Sequence, residues 1–163
     1  MAQSCQIPLH ILDFDAATDP TIQTVHDYWC SLNEGQPPRR KAFEFMAVYK
    51  AAPHLVLTER LGDSSLRFIY CGTTVADNAP RDLTGLTLTP QSARAAAIDF
   101  AQISAQVLDT PCWRFSRHPM EWPNDEYGEY ILGAGPLCDD AGKPVYVLTC
   151  LVFVKKSPYT SRV

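Results

Sequence analysis

The chain of 163 residues carries a net charge of −4, with 46% hydrophobic and 20% charged residues, an ordinary mix for one globular domain that buries about two-thirds of its unfolded surface. An acidic balance without a basic tail argues against nucleic acid and anionic membranes as partners. No stretch reaches the roughly 18 apolar residues of a membrane-spanning helix, and the opening MAQSCQIPLHILDFD lacks the cationic and long apolar regions of a signal peptide.

Residues 1–17 read as an irregular arm. Residues 18–34 read as an N-terminal helix: Asp19 can cap it, Pro20 suits the first turn, and Gly35 ends it. Ile22, Val25, Trp29 and Leu32 recur at helical spacing. That stripe is more apolar than a free helix exposes, so it is expected to pack on the outer face of a sheet or to form the contact of a homodimer or partner. PPRRK (Pro37 to Lys41) reads as a solvated Pro-rich loop, and AFEFMAVYKAAPH as a short helix closed by Pro53.

Two strand-like runs follow, His54 to Leu61 and Ser65 to Gly72, joined by the short turn Gly62-Asp63-Ser64 and therefore antiparallel. In the second run Leu66, Phe68 and Tyr70 alternate with Arg67, Ile69 and Cys71, the strand period. TTVADNAPRD then reads as one to two helical turns with capping hydroxyls at Thr73 and Thr74. TPQSARAAAIDFAQISAQVLD reads as the long helix, capped by Thr89 with Pro90 in its first turn. Its apolar face is Ala93, Ala96, Ala97, Phe100, Ile103 and Val107.

The last third is β. CWRFSRHPMEW is a strand broken near Pro119, and EYGEYILGAGPLC and PVYVLTCLVFVKK are two longer strands joined by the loop Asp139 to Lys143. Val145 to Val154 is apolar on both faces and belongs at the centre of the sheet. The order predicts an α+β fold: a five-stranded antiparallel sheet with helices on one face, plus the N-terminal helix.

Beyond the order, a set of short motifs resembles the PAS-5 type of bacterial PAS domain. They are Tyr28-Trp29 with Leu32; Gly35 with Pro37 and Arg39; and Pro53 with Leu55, Leu57 and Glu59. Arg67, Phe68 and Tyr70 with Gly72-Thr73 follow, then Arg81-Asp82-Leu83-Thr84-Gly85. The resemblance covers roughly residues 21–153 and implies a PAS-like core over residues 35–163, with a pocket between the helical cover and the sheet. It brings no catalytic residues. Domains of this kind bind a small ligand or a protein partner and relay that state. The pocket candidates are Phe68, Tyr70, Phe100, Trp113, Phe115 and Tyr130. Together with Trp122 and Tyr127, the aromatics of the last third either line a site for a flat apolar ligand or simply pack the core.

Other chemistry is thinly supported. His26 and Cys30 share a helix face, but one such pair does not complete a tetrahedral site, so no metal is expected. His10, His54 and His118 lie off the long helix, where a haem ligand would be sought. No flavin-type Asn-Cys-Arg-Phe motif and no G-x-S-x-G is present. Asp125-Glu126 and Asp139-Asp140 suit loops. The six cysteines, at 5, 30, 71, 112, 138 and 150, show no C-x-x-C spacing and read as unpaired, which points to the reducing cytoplasm. The expectation is a stand-alone cytoplasmic sensory module without a cofactor. It would bind an unnamed small ligand, a signalling protein such as a histidine kinase, or both, as a homodimer. The alternatives are an enzyme using the same cavity, with Cys112 or His118 as its reactive groups, and a ligand-free adaptor.

Overall fold

The computed structural model describes residues 18–62, 64–78, 83–89, 94–95, 98–120 and 126–156. Helix α1 spans Pro20–Leu32. The Asp19 carboxylate accepts from the N–H groups of Thr21 and Ile22 at 2.9 and 3.0 Å, satisfying two donors that the first turn leaves open. At the other end Gly35, at φ +80°, donates its N–H back to the Cys30 carbonyl at 2.9 Å. The predicted short helix of residues 42–54 is instead three 3-10 turns, Arg40–Ala42, Phe45–Val48 and Ala52–His54. Pro53 sits within the last of these.

Strands β1 (Leu55–Arg60) and β2 (Leu66–Cys71) form the expected hairpin. Helix α2 is Thr73–Asp77, begun at Gly72 with no side-chain cap, so neither Thr73 nor Thr74 caps it. β3 is the two-residue strand Thr87–Leu88. β4 (Arg94–Ala95) and β5 (Ile98–Asp99) form a small separate ladder. Helix α3 is Phe100–Asp109, about half the length that the alanine-rich sequence suggested. Asp99 explains the late start: its carboxylate accepts from the Gln102 N–H at 3.0 Å and fixes the cap there. Pro90, Ala93, Ala96 and Ala97 lie outside the described residues. β6 (Arg114–Pro119), β7 (Tyr127–Cys138) and β8 (Pro144–Lys155) follow. In the β7–β8 loop the Asp139 carboxylate accepts from the N–H groups of Ala141 and Lys143 at 3.0 and 2.8 Å.

The sheet is antiparallel with order β3-β2-β1-β8-β7-β6. It has six strands rather than five. The addition is β3, whose two residues pair Leu66 with Leu88 and Arg67 with Thr87. β8 is central, as its two apolar faces require. On one face α2 and α3 cover a core that includes Val56, Phe68, Val75, Phe100, Ile103, Tyr130, Leu132 and Leu151. On the other, α1 and the 3-10 turns cover Leu55, Leu57, Trp113, Phe115, Ile131, Leu148 and Cys150.

Helix α1 therefore lies on the outer face of the sheet. Ile22, Val25 and Trp29 are at most 1% exposed and are used within the chain, so they offer no surface to a second copy; Leu32 is half-buried. The seat for this helix is made by two glycines of β7. A Cβ at Gly133 would stand 2.6 Å from Ile22 and 2.7 Å from the Trp113 ring; one at Gly135 would stand 2.5 Å from Trp113 and 3.0 Å from Trp29. The bare backbone lets both indoles lie against the strand, and Trp29 Nε1 donates to the Pro136 carbonyl at 3.0 Å. Gly135→Ala is expected to lower the unfolding free energy by roughly 1–3 kcal/mol through overpacking. Gly62→Ala, where a Cβ meets nothing within 4 Å, should change it by less than about 0.5 kcal/mol. Urea denaturation of both variants checks the contrast.

Candidate functional site

Three of the six aromatic pocket candidates meet beneath α3. Phe68 and Phe100 stand edge to face at 5.1 Å. Tyr130, 2% exposed, stacks on His118 at 5.3 Å with an interplanar angle of 26°, the two residues facing each other across β6 and β7. The other three candidates lie on the far side of the sheet. Trp113 and Phe115 belong to the core under α1. Tyr70 joins them because β2 carries a bulge. Leu57 pairs with Tyr70 and Thr58 with Phe68, so Ile69 is an extra residue that reverses the alternation. Tyr70 thus leaves the face of Phe68, packs against Phe45 at 4.9 Å and donates its hydroxyl to the Ala52 carbonyl at 2.9 Å. The expected six-residue pocket is divided by the sheet itself.

What the face under α3 contains, and what sequence reasoning passed over, is a set of uncharged polar groups. Ser104 lies on the buried stripe of α3, between Phe100 and Val107, and is 3% exposed. Its hydroxyl has no hydrogen-bond partner among the described residues. Thr58 and Thr149, 3% and 1% exposed, belong to the same side, since they stand opposite Phe68, Val147, Val56 and Ala134 in the ladders. His118 Nε2 and the Ser116 hydroxyl share a hydrogen bond at 2.8 Å. Burial pushes the His118 imidazole below its ordinary range, partly offset by the nearby Asp99 charge. The interior is thus aromatic and aliphatic, with neutral hydroxyls and a neutral imidazole. Such a set can orient a flat uncharged molecule through one or two hydrogen bonds. Ser104 was legible in principle: a polar residue within an otherwise apolar helical stripe is the anomaly worth noting.

On the opposite face the His26–Cys30 pair is real. Cys30 Sγ lies 3.2 Å from His26 Nε2, and the imidazole packs against Trp113 and Phe115, each at 5.1 Å. Its charges are wrong for a nucleophile. Burial, reinforced by Asp27, pushes the Cys30 thiol up, and burial pushes the His26 imidazole down against the opposing pull of Asp27. The pair is held as neutral thiol and neutral imidazole, whereas covalent catalysis needs the thiolate. Asp27 Oδ1 lies 3.7 Å from His26 Nδ1, too far for a hydrogen bond, and that nitrogen is buried without one among the described residues. Cys112, the other thiol considered, is disulfide-bonded. This corrects the reading of all six cysteines as unpaired; Cys30, Cys71, Cys138 and Cys150 are not joined in disulfides. No group of three or more His, Cys, Asp or Glu among the described residues could hold a metal. Trp122 and Asp125 lie outside the described residues.

The two half-buried histidines, His26 and His118, give stability a pH dependence of one sign. Each has a folded pKa below the ordinary value of 6.5, so the unfolded chain takes up protons first as pH falls. Stability should be steady above about 6.5 and decline as pH drops from there toward the lower folded values. Urea midpoints across this window, compared with those of the double variant His26→Gln, His118→Gln, check it; the variant should show a flatter decline.

No helix among the described residues is long and apolar enough to cross a membrane. No family model matches the chain, and no curated protein matches it. Among solved structures, an IcIR transcriptional regulator from Alicyclobacillus acidocaldarius is similar over 64% of this chain and 53% of that chain, at 18% identity and a TM-score of 0.34. The chain therefore spans about half the length of that regulator, and a likeness this slight carries no conclusion about fold or activity.

Proposed function

We infer that the chain is a PAS-like sensory or signalling module that takes a small, flat, uncharged ligand between α3 and the sheet. The observation that carries the ligand is Ser104. A hydroxyl buried without a partner costs about 1–3 kcal/mol, and such orphans are rare enough to require an explanation. A ligand that donates to or accepts from Ser104 supplies one, and the His118–Tyr130 stack offers it a flat wall. The antiparallel sheet, with α2 and α3 on one face, fits a PAS-like fold in general, and the motifs from Tyr28 to Gly85 support the narrower reading.

The relay to a signalling protein such as a histidine kinase, and a homodimer, belong to the same proposal. Their contacts would lie away from Ile22, Val25 and Trp29; the exposed large apolar side chains among the described residues are Met46 and Tyr49. A cytoplasmic location is read from the four cysteines not joined in disulfides, with the disulfide at Cys112 the feature against it.

Native mass spectrometry on freshly purified protein, with an absorption spectrum of the same sample, tests the ligand. A bound mass is expected, and Ser104→Ala should weaken its retention by roughly tenfold. A clean apo mass, together with a Ser104→Ala variant more stable than the parent by about 1 kcal/mol, would sink the ligand and favour the adaptor.

A further inference from the structure

Residues Arg39, Arg40 and Lys41 place three cations in succession on a chain of net charge −4, and their loop is not a free solvated turn. Its backbone is stapled to the end of β7. Arg39 bridges Cys138, the Cys138 N–H donates to the Pro38 carbonyl at 2.9 Å, and the Ala42 N–H returns to the Arg39 carbonyl at 3.0 Å. From the other side, Asn33 Nδ2 donates to the Pro37 carbonyl at 3.2 Å. Between this loop and the end of α1 lies a hollow of about 270 Å³ lined by Leu32, Asn33, Pro38, Arg39, Lys41 and Ala42. Its walls are apolar at Leu32, Pro38 and Ala42. Its polar rim is one guanidinium, one ammonium and one amide.

The occupations of these cations decide what the rim is for. Arg40 is engaged, lying 5.3 Å over the Tyr146 ring. Lys41 touches Asp140 at 3.4 Å, but the two side chains are 68% and 85% exposed, so the contact is worth little and is readily exchanged. Arg39 is exposed and has no ion pair or side-chain hydrogen bond among the described residues. A bland role would be to neutralise the negative end of α1. That end is partly capped already, since Cys30 O accepts from Gly35 and the following Asn33 O from Gln36, and Arg39 donates to no carbonyl there.

We propose that this hollow binds a small oxyanion, phosphate or carboxylate, with the Arg39 fork as its principal donor and Lys41 as the second cation. A planar guanidinium on a fixed backbone suits two parallel hydrogen bonds to such a group. The exposed Lys41–Asp140 contact is weak enough for an incoming oxyanion to displace the Asp140 carboxylate from Lys41. The site lies on the α1 side of the molecule and does not depend on a ligand under α3.

The test is a backbone amide NMR titration of the full chain at low ionic strength, with inorganic phosphate and, separately, benzoate. Saturable shifts confined to Asn33 and the Arg39–Ala42 loop are expected for at least one probe. Phosphate alone would identify a phosphoryl group as the ligand, and benzoate alone a carboxylate on an apolar body. Arg39→Gln should weaken binding about tenfold and Lys41→Gln several-fold. Lys155→Gln, at the opposite end of β8 from the strand end that the loop joins, should leave it within about twofold. Non-saturable shifts with both probes, or an Arg39→Gln variant that folds and binds like the parent, would overturn the proposal.

Discussion

Strand β8 sets the terms for everything else. It is central and hydrophobic on both faces, with Leu148 and Cys150 toward α1 and Val147 and Leu151 toward α3, all at most 1% exposed. A strand of that kind cannot leave either side of its sheet to water. The chain therefore needs two covers, and it builds them differently. On one side an amphipathic helix with two buried aliphatic residues and an indole is seated on bare glycine backbone. On the other, a shorter helix and a single turn, α3 and α2, lie over a face that mixes aromatics with hydroxyls.

The two covers also differ in how they are packed. Under α1 the packing is tight and specified by shape: ring against ring at 5.5 Å for Trp29 and Trp113, and an indole N–H delivered to a carbonyl. Unsatisfied atoms do occur there, His26 Nδ1 and Trp113 Nε1, but they are walled in by aromatic rings. Under α3 the polar groups sit on three different elements, α3, β1 and β8, and on the β6–β7 pair at the edge. Among these groups the Ser104 hydroxyl alone has no partner among the described residues, and His118 is paired with Ser116, so the polar anomaly of this face is concentrated on one side chain of α3.

The strands were legible because turn residues bracket them: the Gly62 turn follows and precedes short apolar runs, the second alternating from Leu66 to Cys71, and the Asp139–Lys143 loop separates two long, nearly continuous apolar runs. The pocket was not, for a local reason. One extra residue at Ile69 moves Tyr70 through the sheet, and no pattern in RFIYC announces it, because Ile, Tyr and Cys are acceptable on either face. The alanine-rich stretch before Phe100 misled because propensity favours helix there, while the Asp99 cap places the first turn later. The His26–Cys30 contact was readable from its spacing of four. Its chemical silence was not, since that depends on how deeply the pair is set against Trp113 and Phe115. β3 is too short for any periodicity to signal.

The pairing of β1 with β8 has a consequence for how the molecule comes into being. Leu55 aligns with Cys150 and Glu59 with Tyr146, so the centre of the sheet joins segments separated by most of the chain. During synthesis the β1 and β2 segments emerge long before the β8 segment that pairs with the other flank of β1, so any early hairpin has an open row of backbone donors and acceptors on that side. Closing so distant a contact is entropically slow. The β1–β2 hairpin, marginal by itself, gains its full partnership only when the last strand arrives to pair with β1 and divide the two cores.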